Sequence, residues 1–238
     1  MSQRYEGKAK VVEQIAGAEG KVRVTFKDDA TAGNGAMKDS FEGKGVLCNE
    51  ITCLLFEYLE SQGVETHYLG RESDTAFLAH HVEIVLVEVV VRNLAAGSMC
   101  RRLGIESGLE IDPPVVEFYY KDDDLGDPLM TRDHVGILQL ATPEELDQIT
   151  VSALQVNKAM SDLFARAGLQ LVDFKLEYGR TADGELLLAD EFSPDTCRLW
   201  LNGESLDKDV FRRGDGSPLA GYREVLRRIR PLLAESAA

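Results

Sequence analysis

The sequence is short of positive charge. Its 238 residues carry 26 Lys and Arg against 41 Asp and Glu, which gives a formal net charge of −15 at pH 7. An acidic excess of this size repels polyanions, so we expect neither a nucleic-acid polymer nor an anionic membrane surface as a partner. Small phosphorylated ligands stay compatible with it, because a few basic side chains in a cleft outweigh a diffuse field that salt screens beyond about 10 Å.

Cysteine and long apolar runs are also scarce. The four cysteines contain no Cys-x-x-Cys pair and have no histidine at zinc-finger spacing, so we expect reduced thiols rather than disulfides or a zinc site. The longest apolar stretch, Ile84 to Val91, is interrupted by Glu88 and is too short to span a bilayer. The first ten residues lack the apolar segment of a secretory signal. These observations predict a cytoplasmic protein.

The order of strand-like and helix-like segments predicts an α+β fold. A β-branched run over Val82 to Val91 is typical of a buried central strand, and Thr142-Pro143-Glu144-Glu145 is the capping box that begins a helix. A basic helix is expected over Tyr222 to Leu233. We predict two lobes that meet at a cleft: an N-terminal lobe rich in antiparallel sheet, residues 1–80, and a larger α+β lobe, residues 81–238.

The N-terminal region holds two features that suit phosphate binding. Tyr5 to Ile15 is predicted to be one extended segment on which Lys8 and Lys10 share a face, and Gly7 lets the backbone approach a ligand. The glycine-rich stretch Asp28 to Gly45 has no hydrophobic period and is predicted to be a mobile loop that covers a ligand. Lysines near a terminus can simply be solvated. Strand lysines beneath a glycine loop are nevertheless how kinase-like folds hold nucleotide phosphates, although no P-loop pattern is present.

A later strand combines one apolar face with three ionisable residues, Asp173, Lys175 and Glu177, on the other. Such a strand can simply have a solvated face. The following hairpin, however, is expected to bring Asp190 and Glu191 near Asp173, and the register leaves open which of the two joins the cluster. Clustered carboxylates repel one another unless a cation lies among them, and oxygen ligands suit Mg²⁺ that also contacts phosphates. The hypothesis is a Mg²⁺-nucleotide site.

A third group of residues suits a second phosphate. Arg92 ends the buried strand, and Ser98 begins the next helix after two alanines and a glycine. Helix N-termini favour anions. Arg198 can bind a phosphate or carboxylate through two parallel hydrogen bonds, although an ion pair with a neighbouring acid is equally compatible with the sequence.

Taken together, these segments resemble the SAICAR synthetase family. The resemblance extends from about residue 4 to the C-terminal helix, and it is carried by YEGKAK (5–10), VVVRNLAAGS (89–98), RRLGIESG (101–108), PPVVEFYYKDDDLGDP (113–128), LVDFKLEYG (171–179) and DEFSPDTCRLW (190–200). One departure is a segment after Trp200 that is shorter than expected before Leu206 to Asp209. It affects only the local conformation and an oligomer contact.

The resemblance implies an ATP-dependent ligation. The carboxylate of the imidazole ribonucleotide CAIR would condense with the α-amine of L-aspartate to give SAICAR, ADP and phosphate in purine biosynthesis. It also implies two α+β lobes with a kinase-like or ATP-grasp-like nucleotide cleft, ATP and Mg²⁺ as cofactors, and by analogy a homodimer. Two other functions fit the same lysines and carboxylates: a small-molecule or lipid kinase, and a regulator that binds nucleotide without turnover.

The resemblance also implies a role for each matching residue. The implied sets are Lys8, Lys10 and Lys121 on ATP phosphates, Glu177 and Asp190 on Mg²⁺, Arg92, Ser98 and Arg198 on the CAIR ribose phosphate, and Asp173 and Lys175 at the reacting centre.

Overall fold

The computed structural model describes residues 4–32 and 37–236. Within these ranges the strands are β1 Arg4–Glu6, β2 Lys10–Gln14, β3 Lys21–Phe26, β4 Asp29–Ala32, β5 Met37–Ser40, β6 Tyr68–Arg71, β7 Ala76–His80, β8 Glu83–Leu94, β9 Glu110–Tyr120, β10 Leu129–Met130, β11 Gln170–Arg180, β12 Leu186–Ala189, β13 Cys197–Leu201 and β14 Glu204–Ser205. The helices are α1 Lys44–Ser61, α2 Ser98–Leu103, α3 Arg132–Ile137, α4 Pro143–Arg166, α5 Asp209–Arg212 and α6 Leu219–Ser236, with a 3₁₀ turn at Asp123–Leu125.

The strands form two antiparallel sheets and a separate hairpin. The first sheet has the order β1-β2-β3-β7-β6, and the second has the order β10-β9-β8-β11-β13-β14 with β12 also paired to β11. β8 lies at the centre of the second sheet, as its β-branched sequence predicts. The α+β prediction is therefore confirmed, and the second sheet is the larger of the two.

The first predicted strand is in fact a hairpin. β1 pairs antiparallel with β2, and Gly7 N donates a hydrogen bond of 2.8 Å to Lys10 O, so the chain reverses between them. The expectation that Lys8 and Lys10 share a face of one strand is therefore wrong: Lys8 lies in the turn and Lys10 begins β2. Three polar or small residues suffice for this reversal, and hydrophobic alternation does not reveal it.

The predicted loop from Asp28 to Gly45 is largely regular structure. β4 and β5 pair over Asp29 to Ser40, and α1 begins at Lys44. Gly33 and Gly35 of that prediction lie outside the described residues. The Asp28 carboxylate accepts hydrogen bonds from the Gly43 and Gly45 N–H groups, which ties the base of the hairpin to the start of α1.

Several other boundaries follow from local chemistry. The Thr142 hydroxyl accepts from Glu145 N and the Glu145 carboxylate accepts from Thr142 N, so the predicted capping box begins α4. The short segment after Trp200 is a tight turn in which Asn202 and Gly203 adopt positive φ between β13 and β14.

One continuous apolar core joins the two sheets and the long helices. It includes Val24 on β3, Leu55 on α1, Val89 on β8, Leu163 on α4 and Phe174 on β11, all buried. No helix within residues 4–32 and 37–236 combines the length and the apolar character needed to cross a membrane.

Candidate active site

Residues from both sheets line a cavity of about 450 Å³. β2 and the turn before it contribute one wall, and β8, β11 and the segment after β12 contribute the other. A smaller cavity of about 140 Å³ lies further along β8 and β11. Four residues line both cavities, so the two are adjacent: Lys175, Asp195, Thr196 and Arg212.

Lys10 lies between two acids in the larger cavity. Its Nζ is 2.5 Å from Asp190 Oδ1 and 2.8 Å from Glu191 Oε1, and its side chain is largely buried. Burial alone lowers the pKa of the Lys10 ammonium, but the two carboxylates outweigh that effect and raise it above its ordinary value. Asp190 has a φ of 64°, a left-handed backbone conformation that ends β12. The predicted strand to Glu191 is therefore shorter than expected.

Lys175 and Lys121 lie on a second pair of acids in the same cavity. Glu177 Oε1 accepts hydrogen bonds from Lys175 Nζ at 2.6 Å and Lys121 Nζ at 2.9 Å, and Lys175 also donates to Glu88 at 2.6 Å. Glu88 and Glu177 are directly opposite each other on β8 and β11. Burial would raise the pKa of Glu177, but the two ammonium groups lower it to about 2. Burial is also the main cause that raises the pKa of Glu88.

Two arginines meet on one buried acid in the smaller cavity. Asp173 is paired in register with Arg92 of β8 on one side and Arg198 of β13 on the other. Its carboxylate accepts from Arg92 Nη1 at 2.6 Å and from Arg198 Nη1 at 2.8 Å. The sequence predicts that Asp173 joins the carboxylates around Lys175. This prediction is wrong, because Asp173 is paired with the two arginines. The reason is register: β12 ends with Ala189 opposite Glu177, and β13 returns beside Asp173.

The remaining contacts of these arginines fix their orientation. Arg92 also donates to Glu117 at 2.6 Å, and its Nη2 lies 3.4 Å from the Ser98 hydroxyl. Arg198 Nε donates to Asp209 of α5 at 2.7 Å. A Cβ at Gly97 would lie 2.5 Å from Arg198 Nη2, so a larger residue there would displace the guanidinium from this position.

Lys8 is the outlying member of the predicted set. Its Nζ lies 2.5 Å from Asp123 Oδ1 of the 3₁₀ turn, and both side chains are mostly exposed. The pair lies at the boundary between the larger cavity and a shallow third cavity of about 580 Å³, which the β4–β5 hairpin also lines. The structure thus brings Lys10, Lys121, Lys175, Glu177 and Asp190 together and leaves Lys8 at the margin.

Sequence reasoning missed the residues that complete the site. Glu88 interrupts an apolar run, and a lone acid inside a buried strand is itself a signal of a functional site. Lys44 is fully buried, and its Nζ lies 2.6 Å from Asp195 Oδ2. Tyr222 of α6 donates a hydrogen bond to the same carboxylate. Only the fold brings α1, α6 and Asp195 together, so no sequence signal could have found this group.

Lysines and carboxylates in one cavity and arginines in the next are side chains that suit the binding of phosphorylated ligands, as in enzymes of phosphoryl transfer. The comparisons with known proteins agree. Residues 3–229 match the family model described as SAICAR synthetase. A phosphoribosylaminoimidazole-succinocarboxamide synthase from Halalkalibacterium halodurans is 55% identical over 227 residues, which are 94% of this chain and 95% of that protein.

Solved structures give the same result. The enzyme of that name from Ehrlichia chaffeensis superposes with a TM-score of 0.92 at 39% identity, covering 95% of this chain and 97% of the other. A SAICAR synthetase described as a complex with ADP has a TM-score of 0.92 at 42% identity, with the same coverage. The chain belongs to the SAICAR synthetase family. Its activity is the family's ATP-dependent ligation of CAIR and L-aspartate in purine biosynthesis, so the predicted fold and ligase function are confirmed.

Proposed function

We propose that the two adjacent cavities hold the two phosphorylated substrates of this ligation, with the ATP triphosphate in the larger and the CAIR ribose phosphate in the smaller. The observation that carries the proposal is the set of four residues lining both cavities. Phosphoryl transfer to a carboxylate requires the reacting atoms to approach within about 3 to 3.5 Å, which adjacent cavities permit.

Lys10 and Lys121 are proposed to bind the ATP phosphates, with Lys8 at the entrance. All three already contact carboxylates, so triphosphate binding exchanges one anionic partner for another. The ADP complex of a related enzyme supports a nucleotide in this family's cleft.

Glu177 and Asp190 are proposed to hold Mg²⁺. Each carboxylate already contacts a lysine ammonium, so its oxygens face a position where positive charge is favourable. Among residues 4–32 and 37–236, no three acids, histidines or cysteines converge as a metal cage. Two carboxylates suit Mg²⁺, which is commonly bound by one or two carboxylates together with substrate phosphates. When bound, it would neutralise charge that develops on the transferring phosphoryl group.

Arg92, Ser98 and Arg198 are proposed to bind the CAIR phosphate. Both guanidinium groups are held in place by acids on their other edges, Glu117 for Arg92 and Asp209 for Arg198. Asp173 lies between them, and we propose that it orients both arginines next to the reacting centre. Such fixed donors lose little freedom when the phosphate binds.

The CAIR carboxylate is a poor electrophile, so it must be activated before the aspartate amine attacks it. Transfer of the γ-phosphoryl group to the CAIR carboxylate makes its oxygen a leaving group, and attack by the aspartate amine forms the C–N bond as phosphate departs and the amine loses a proton. Lys175 lines both cavities, so we propose that its ammonium stabilises the transferring phosphoryl group.

Turnover with and without aspartate tests the reaction. ADP release should require CAIR, L-aspartate and Mg²⁺ together, and the product should have the mass of the new amide. A kinase would release ADP and a phosphorylated product without aspartate, and a regulator would release no ADP. Either result would overturn the proposal.

Two lysine substitutions, one in the site and one outside it, test the role of Lys175. Lys175→Met should reduce kcat by at least about 100-fold, the scale of losing one preorganised charge partner at a reacting centre. Lys158→Met is the matched control, because Lys158 lies 2.7 Å from an acid on the solvent face of α4 and is exposed. Equal kcat in the two variants would reject the role of Lys175.

Three further features belong to the same proposal. The strands of the first sheet lie before residue 81 and those of the second lie after it, which supports lobes of residues 1–80 and 81–238, although the apolar core is shared. We also propose a homodimer by family analogy and, from the sequence, a cytoplasmic location. Light scattering should then give twice the chain mass of 26.3 kDa, and a value equal to one chain would reject the dimer.

A further inference from the structure

A small apolar cluster, separate from the main core, connects the β4–β5 hairpin to α5. Its buried members are Ala30 and Phe211, and Met37 and Phe41 pack against them. The rings of Phe41 and Phe211 meet edge to face, with centroids 5.6 Å apart. Edge-to-face aromatic packing prefers one relative geometry, so the hairpin and α5 are held in a defined arrangement.

The hairpin end of this cluster borders the proposed nucleotide region. Thr31 of β4 lines the larger cavity, where the ATP triphosphate is proposed to lie, and Ala30 and Lys38 line the shallow cavity next to it. Phe41 directly follows β5, and its N–H donates a hydrogen bond of 2.9 Å to Asp28 O, which closes the base of the hairpin. A ligand in this region therefore contacts an element whose base packs on Phe211.

The α5 end of the cluster borders the proposed CAIR phosphate site. Asp209 begins α5 and accepts hydrogen bonds from Arg198 Nε at 2.7 Å and from Arg212 Nη1 at 2.5 Å. Arg212 ends the same helix and lines both adjacent cavities. Phe211 lies between these two residues in the chain, so its packing sets the position of Asp209, and Asp209 sets that of Arg198.

We propose that the cluster of Ala30, Met37, Phe41 and Phe211 couples nucleotide binding to the position of Arg198, so that each phosphorylated substrate strengthens binding of the other. The inference rests on the proposed placement of the two substrates. Phe41 and Phe211 are positioning residues, because neither lines any of the three cavities and both act through the hairpin and through Asp209. A nucleotide that favours one arrangement of the hairpin can bias Arg198 only if it binds that arrangement more tightly.

Calorimetric titration measures this coupling. The dissociation constant of CAIR is determined with and without a non-hydrolysable ATP analogue and Mg²⁺, and the ratio of the two constants is the coupling factor. Typical factors lie at about 5 to 150, and the same factor must be obtained when the order of the two ligands is reversed. We expect the unaltered protein to fall in that range.

Substitutions on both sides of the contact separate coupling from binding. Phe211→Ala and Phe41→Ala should each bring the factor to within about twofold of 1. The factor is a ratio of two dissociation constants of the same variant, so a change in its affinity for CAIR alone does not alter it. The double substitution should cause no further loss, because either one already breaks the contact. If Phe211→Ala does not fold, Phe211→Leu replaces it, because leucine removes the ring contact with Phe41 but keeps an apolar side chain. The coupling factor of this variant should also fall toward 1.

Leu233→Ala is the control for simple destabilisation. Leu233 is buried in the main core on α6 and lines none of the three cavities, so this variant should unfold at a lower temperature yet keep the coupling factor. The inference is overturned if the unaltered protein binds both ligands with a factor near 1, if both phenylalanine variants keep the factor, or if Leu233→Ala loses it equally. Failure of the unaltered protein to bind CAIR or nucleotide would instead reject the proposed function itself.

Discussion

Replacing Glu177 by glutamine should destabilise the protein in a way that depends on pH. The Glu177 side chain is buried, and its Oε1 accepts from two lysines at 2.6 and 2.9 Å. Glutamine keeps the shape but removes the negative charge, so Lys121 and Lys175 lose the partner they share. Breaking a buried ion pair by removing one partner is among the more costly single substitutions.

The magnitude follows from the pKa of this carboxyl group. Its neighbours lower that pKa from 4.5 to about 2. Because one pKa unit corresponds to about 1.4 kcal/mol, the charged form is favoured in the folded protein by about 3 kcal/mol. We therefore expect the free energy of unfolding of Glu177→Gln to be about 3 kcal/mol lower than that of the unaltered protein at pH 7.

The sign with pH follows from the lowered pKa. The unfolded chain binds a proton at Glu177 before the folded protein does, so the stabilisation is fully present above about pH 4.5 and is lost as the pH falls toward about 2. The difference between the two proteins should be constant from pH 8 to 5 and should shrink below about pH 4.5.

Urea unfolding at several pH values measures this difference. Asp162→Asn is the matched control: Asp162 lies 2.7 Å from Lys158, but both side chains are exposed. Exposed pairs at this helical spacing contribute only about 0.3 to 0.5 kcal/mol. The reasoning is refuted if Glu177→Gln costs no more than the control at pH 7, or if its cost grows as the pH falls.

Three other substitutions test separate parts of the molecule. His67 is buried among aromatic rings, and burial lowers its pKa from 6.5 to about 4. The free energy of unfolding of the unaltered protein should therefore fall by about 2 kcal/mol between pH 7.5 and 5, and that of His67→Leu should lack this fall. An equal dependence on pH in urea unfolding of the two proteins would contradict the assignment. Arg198→Met should weaken the apparent affinity for CAIR by about 10- to 150-fold, the effect of losing a charged hydrogen bond, and an unchanged KM for CAIR would count against its role. Thr142→Ala should lower the free energy of unfolding by about 1 kcal/mol with unchanged kcat, because it removes the side-chain acceptor that begins α4; a loss of kcat would show that this helix end also affects the site.

Long patterned elements of this fold were predictable from the sequence. The β-branched run predicts the central position of β8 in its sheet, and the capping box predicts the first residue of α4. These signals are local: a strand period or a cap depends on residues within a few positions of one another. The resemblance to a family supplied the substrates, which no period or spacing could supply.

The missed features depend on contacts between distant segments. The partner of Asp173 is set by how β13 returns beside β11, and register between strands is fixed by tertiary packing rather than by either strand alone. Lys44 fell in a predicted loop because its stretch lacks an apolar period, yet the fold buries it against Asp195. The turn at Gly7 is local instead, but no break in hydrophobic alternation marks it, so the pattern does not reveal it.

The charged side chains of the cleft nearly balance one another. Lys10, Lys121 and Lys175 face Glu88, Glu177, Asp190 and Glu191, which leaves one surplus negative charge among the seven. A cavity with nearly balanced charges attracts a polyphosphate only weakly at long range, so nucleotide binding depends on short-range contacts. We accordingly expect nucleotide affinity to vary less steeply with ionic strength than it does in proteins whose basic residues stand unopposed.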